Sequence, residues 1–193
     1  MRRTGVLFSR FILTAAITSL PVAMLAQTNK PSAGTAIATT TSADRKFVRA
    51  AAQGGVAEVE LGKLAAEKGF SEDVKKFGQR MVDDHTKAGD QLKDIASRKG
   101  ITVPTKLSAK DRMTKDRLSK LSGDPFDQAY MNDMVKDHTQ DVADFKRESS
   151  SGTDSDVKNF ASTNLPTIED HLREARKITP KTTSASNNMK GSQ

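Results

Sequence analysis

The stretch from Val74 to Ile95, VKKFGQRMVDDHTKAGDQLKDI, decides the fold. Val74, Phe77, Met81, His85, Ala88, Leu92 and Ile95 recur at spacings of three and four, while Lys, Arg, Asp and Gln fill the positions between. That period puts one apolar stripe on an α-helix and a solvated face opposite it. The one polar member of the stripe is His85, which a helix of this register turns toward a core. Ser71 precedes the stretch as a capping residue, with Glu72 and Asp73 near the positive end of the helix. Gly100, ahead of Pro104, stops it.

Three further stretches repeat the pattern. From Asp44 to Lys68 the stripe is Phe47, Ala51, Gly54, Glu58, Leu61 and Ala65, with Gly69 expected as a left-handed cap. From Asp124 to about Ser149 it is Phe126, Tyr130, Met134, His138, Val142 and Phe145, opened by a capping Asp124 and by Pro125 at the first helical position. The last stripe, opened by Thr153 with Asp156, is Val157, Phe160, Asn164, Ile168, His171, Ala175 and Ile178. Pro166 lies inside this pattern, and because the period continues beyond it, a bend rather than an end is expected. Gly54-Gly55 predicts a close helix approach. Residues 101–123 are too long for a hairpin turn and predict a crossover holding a short helix, with Ser108 as its cap and Ser122-Gly123 as its stop. Two antiparallel hairpins joined by one long crossover make an all-α, ferritin-like four-helix bundle.

The ends read differently. Residues 1–26 have the organisation of a signal peptide: Arg2 and Arg3, an apolar run from Phe11 to Leu20, Pro21, and a cleavage position after Ala26. The expected destination is the periplasm, the alternative being an inner-membrane anchor through residues 11–26 that faces the periplasm. Residues 27–43, rich in Thr, Ala and Ser, read as a flexible linker, and 179–193 as a disordered tail, leaving 44–178 as the folded domain.

Composition excludes several classes. There is no Cys and no Trp among the 193 residues, so disulfides, thiolate metal sites and a cysteine nucleophile are out. The net charge of +7 falls to about +4 without Arg2, Arg3 and Arg10, and the other basic residues alternate with acids along helices as solvated surface does. No basic block with interleaved aromatics is present, so nucleic acid is not an expected partner. Membrane contact is expected only through an uncleaved leader.

Each helix stripe carries one ionisable residue: Glu58, His85, His138 and His171. At 1.5 Å rise per residue, levelling the helices by their turns spreads the four over roughly 10 Å. Two or three can share a site, and all four need a bend, which Pro166 would supply. The imidazoles and carboxylate suit zinc, iron, copper or manganese, making Glu58, His85, His138 and His171 a candidate metal centre. The Glu-x-x-His pairs of di-iron bundles are missing, since Val82, Val135 and Ile168 hold the positions three before each histidine. A hydrogen-bonded structural role, with Glu58 or Tyr130 as partner, and a pH-sensing role are the other readings. Met81, Met131 and Met134 read as core filler. No nucleophile elbow or phosphate loop occurs, so no residue is assigned to catalysis.

Two segments echo one another, Met81-Val-Asp-Asp-His-Thr86 and Met134-Val-Lys-Asp-His-Thr139. The run Ala51-Ala-Gln-Gly-Gly-Val-Ala-Glu-Val-Glu-Leu-Gly-Lys-Leu-Ala65, then Phe77-Gly-Gln-Arg-Met-Val-Asp-Asp-His85, Phe126-Asp-Gln-Ala-Tyr-Met131, Met134-Val-Lys-Asp-His138, Leu165-Pro166 and His171-Leu172, resembles the bacterial family called domain of unknown function 4142. The resemblance implies an exported protein with a ferritin-like bundle and carries no activity, substrate or cofactor with it. The expected function is that of an envelope protein, non-enzymatic and stress-associated, with metal binding as its specific chemistry. The alternatives are a metal-dependent redox enzyme or metal store, and a pH-sensing or partner-docking module.

Overall fold

The structure, a computed structural model, describes residues 39–190, with side chains through 179. The leader and most of the expected linker lie outside the described residues. Five helices follow one another there: α1 (Ser42–Lys68), α2 (Glu72–Arg98), α3 (Ala109–Ser119), α4 (Gly123–Ser151) and α5 (Ser155–Lys190). No strand occurs among the described residues. Helices α1 and α2 form one hairpin, α4 and α5 the other, with α2 lying against α5 and α1 against α4. The segment between α2 and α4 travels the length of the bundle and carries α3, which packs on α1 and α4. This is the ferritin-like arrangement that the periodicity predicts. No helix is long and apolar enough to cross a membrane among the described residues.

Hydrogen bonds between helix ends fix the register. At one end, Asp127 near the start of α4 accepts from the backbone N–H groups of Phe70 (2.9 Å) and Ser71 (2.8 Å), clamping the α1–α2 turn. At the other, Thr41 and Asp44 form a capping box on α1, and Asp44 also accepts from the N–H of Thr153 at 3.0 Å. One carboxylate there satisfies donors that two helices would otherwise leave unpaired.

Local chemistry departs from the sequence reading at several ends. Helix α1 starts at Ser42, inside the expected linker, because Thr41 is its cap and Asp44 the third residue of the box. Gly69 caps α1 with φ −50° and is not left-handed; glycine is needed because a Cβ there would lie 2.7 Å from the carbonyl of Ala65. Gly100, with φ 60°, is the left-handed stop instead. Helix α3 ends at Ser119, and α4 begins at Gly123, so Asp124 lies inside the first turn and is not the cap. Asp154, not Thr153, accepts from the N–H groups of Asp156 (3.0 Å) and Val157 (3.3 Å) at the start of α5. Helix α5 runs unbroken past Pro166 to Lys190, so the boundary at 178 marks the end of the apolar stripe and not of the helix. Extending an existing helix adds a hydrogen bond for each residue fixed, which lets it continue beyond Ile178, the last residue of its apolar stripe.

The expected close approach at Gly54-Gly55 lies elsewhere. Neither residue would place a Cβ within 4 Å of another atom, whereas a Cβ on Gly62 would meet the carbonyl oxygen of Gly78 at 2.7 Å and one on Gly78 the nitrogen of Ala66 at 2.7 Å. Helices α1 and α2 therefore touch backbone to backbone one to two turns further on.

The apolar core is split in two. Leu61, Ala65, Phe77, Met81, Tyr130, Met134 and Ala175 belong to one cluster, and Phe47, Leu92, Phe145, Phe160 and Ile168 to the other. On each long helix the gap between the clusters holds one buried polar residue: Glu58, His85, His138 or His171. The polar stripe positions form a layer across the bundle.

Candidate metal centre

The four polar residues meet. The rings of His85, His138 and His171 are 5.3 to 5.7 Å apart by centroid. Glu58 lies 3.0 Å from His85 through Oε2 and 3.5 Å from His138 through Oε1. The sequence estimate of a 10 Å spread does not hold, because long side chains lean along the axis and the two hairpins are staggered by their end clamps. His138 and His171 are fully buried, and Glu58 and His85 nearly so.

Each ring has one nitrogen beside a polar neighbour and one without a partner. Met134 O accepts from His138 Nδ1 at 3.1 Å and Asp84 Oδ2 from His171 Nε2 at 2.8 Å, while Glu58 Oε2 lies 3.0 Å from His85 Nδ1. A carbonyl or ionised carboxylate only accepts, so His138 Nδ1 and His171 Nε2 carry protons. The opposite nitrogens, His85 Nε2, His138 Nε2 and His171 Nδ1, are buried without any hydrogen-bond partner. One ring nitrogen from each histidine lies within 4.8 Å of the others, a span that a single cation can bridge. An unpaired buried acceptor costs on the order of 1–3 kcal/mol, so three together call for a ligand.

Burial dominates the electrostatics. It pushes His85 down to about 4 and His171 to about 3, and lowers His138 in the same direction. The imidazoles are thus neutral near pH 7, the form that ligates metals. Burial raises Glu58. Asp84 stays below the usual carboxylate range: burial opposes this, but the hydrogen bond from His171 and the Arg80 guanidinium outweigh it. Arg80 in turn reaches Glu174 on α5 at 2.5 Å, so an ion-paired strap holds Asp84 in place.

Asp84, one position off the core stripe, reaches from α2 to the neighbouring α5 and orients His171. One further member of the site is absent from the sequence reading. Asp141 lies against Glu58, and burial with the charge of Glu58 holds its carboxyl well above the usual range. Glu58, His138 and Asp141 each bring one atom within 4.8 Å of the others. The signal was available as His138-x-x-Asp141, one turn beyond the histidine. Tyr130, weighed as a partner for the histidines, has a buried hydroxyl with no partner. Met81, Met131 and Met134 are buried in the apolar cluster beside the layer.

The fold and this layer define an all-α bundle protein whose core is interrupted by one polar cluster drawn from all four helices. The chain belongs to the family described as Domain of unknown function (DUF4142), which residues 29–178 match. No curated protein matches it. Among solved structures it is similar to the crystal structure of a DUF305 fragment from Deinococcus radiodurans, with TM-score 0.64 and 16% identity over 74% of this chain and 98% of that one. That likeness supports the fold alone.

Proposed function

We propose that this protein binds one transition-metal ion in the bundle core through His85, His138 and His171, as an exported component of the cell envelope with no chemistry of its own assigned. The observation that carries the reading is the set of three buried, unpartnered imidazole nitrogens, two of them opposite a nitrogen already fixed by an acceptor. Acceptors on the far side of metal-bound histidines set the tautomer and raise ligand basicity. Three neutral nitrogen donors favour zinc or copper over manganese, with iron between. Glu58 lies beside the set, 3.0 Å from His85 and 3.5 Å from His138. Export rests on residues 1–26, whose charged start and apolar run have the pattern of a leader.

The pH-sensing alternative has less support, because burial keeps His85 and His171 uncharged until well below neutrality. A mineral store needs many ions, and the cluster offers ligands for one. The test is the metal content of the untagged protein as purified, together with its thermal shift on adding zinc, copper or iron. Wild type should carry or take up one equivalent and His138→Gln none. Stability loss in His138→Gln with no metal bound to either protein would reduce the histidines to packing.

A further inference from the structure

Glu58 and Asp141 line the small cavity of about 40 Å³ that His85 and His171 also line. The same two residues line a groove of about 310 Å³ on the outside, between α1, α3 and α4. Asp111, Asp133 and Asp137 stand along that groove, with Lys110 and Lys136 opposing them. The pair therefore lies between that groove and the imidazole cluster. Glu58 Oε1 and His138 Nε2 are buried at this boundary without hydrogen-bond partners. The cavity's other walls include Ala51, Ala88, Phe145, Phe160 and Ile168 with Asp84, Asn164 and Thr167, and His85 also lines a second groove of about 570 Å³ beside Gly55 and Gly89.

We infer that Glu58, His138 and Asp141 form an outer position for a divalent cation, at which the metal is held on its way from the α1–α3–α4 groove to the three imidazoles. This rests on the metal-binding reading above. His138 has only Nε2 free, because Nδ1 is bonded to the Met134 carbonyl. It can serve the outer set or the inner one, but not both. The two positions are therefore occupied in turn, by a pivot of one ligand, and the chain holds one ion. A carboxylate-rich mouth raises the local cation concentration and speeds capture, while nitrogen donors inside hold a late transition metal more tightly than two carboxylates and one imidazole.

The experiment is stopped-flow loading of the full chain with zinc alone, with release followed into a chelating indicator. In Asp141→Asn, loading and release should both slow by about tenfold or more while Kd stays within about threefold, as expected when an electrostatic way-station is removed. His171→Gln should keep a weaker zinc site, and adding Asp141→Asn to it should abolish that site. Unchanged rates in Asp141→Asn, or weakened Kd with unchanged loading, would overturn the outer position, as would residual binding in His171→Gln that ignores Asp141. If wild type takes up no zinc at all, the metal reading itself falls and this inference with it.

Discussion

Asp84 on α2 accepts a hydrogen bond from His171 on α5 at 2.8 Å, and so fixes which nitrogen of that ring is free to face His85 and His138. The bond joins the two hairpins across the polar layer. Removing it as Asp84→Ala leaves every proposed ligand in place but frees the ring to change tautomer and rotate. Metal affinity should fall by about 10- to 100-fold, measured by competition with a chelator of known strength. An unchanged affinity would mean that packing against Phe77, 6.4 Å away by ring centroid, orients His171 on its own.

The metal-free protein should become less stable as pH falls. His85 and His171 titrate near 6.5 in the unfolded chain but at about 4 and 3 when folded. Between those limits the unfolded state binds more protons, so their contribution is complete above pH 6.5 and is lost as pH drops toward 4. Glu58 and Asp141, both raised, act with the opposite sign. Comparing wild type with His171→Gln isolates one histidine. In chelator, by urea unfolding at pH 7, 5.5 and 4, the stability of wild type relative to the variant should decline by about 1 kcal/mol per pH unit. A constant difference would refute the assigned burial effect.

The sequence discloses the bundle almost completely and the site only in part, for a physical reason. A stripe such as Phe47, Glu58, Leu61 and Ala65 reports which face of a helix is inward, and it placed Glu58, His85, His138 and His171 correctly. Their common level depends on the stagger of the hairpins, which Asp127 on the α1–α2 turn and Asp44 on Thr153 decide. Those bonds join residues more than 50 positions apart, and helical period carries no trace of them. Asp141 escaped for a related reason. It sits at the edge of the stripe, where period alone cannot distinguish a side chain that reaches a neighbouring helix from one that reaches water.

Glu148 provides a second pH effect, at the end of the bundle away from the α1–α2 turn. It is buried against Asp44, and burial together with the bond to Asp44 raises its carboxyl to about 7. A raised carboxyl favours the folded state below its unfolded value and loses that advantage as pH rises through 7. Above pH 7 two carboxylates face each other beside Gly152. Glu148→Gln keeps a neutral donor for Asp44 and removes the repulsion. At pH 8 it should stabilise the protein by on the order of 1 kcal/mol, after allowing for solvent screening, and by less at pH 5. Equal midpoints of thermal unfolding for both proteins at pH 8 would contradict this.

Glycine substitutions separate contact from opening along the α1–α2 hairpin. Gly78 sits where a Cβ would approach the nitrogen of Ala66 at 2.7 Å and the Cβ of Ala65 at 2.8 Å, so alanine there must push two helix backbones apart. Gly89, three turns along the same helix, has no atom within 4 Å of its would-be Cβ. In a helix interior, alanine is favoured over glycine by about 1 kcal/mol, and overpacking costs about 1–3 kcal/mol. Gly78→Ala should therefore destabilise the protein, whereas Gly89→Ala should stabilise it, in urea unfolding of the metal-free chain. Because Gly89 also lines the cavity beside His85, zinc affinity of Gly89→Ala tells whether that opening matters. With loading through the α1–α3–α4 groove, stability rises and the rate of zinc uptake stays at the wild-type value. A gain in stability with slowed uptake would place the route on the glycine side instead.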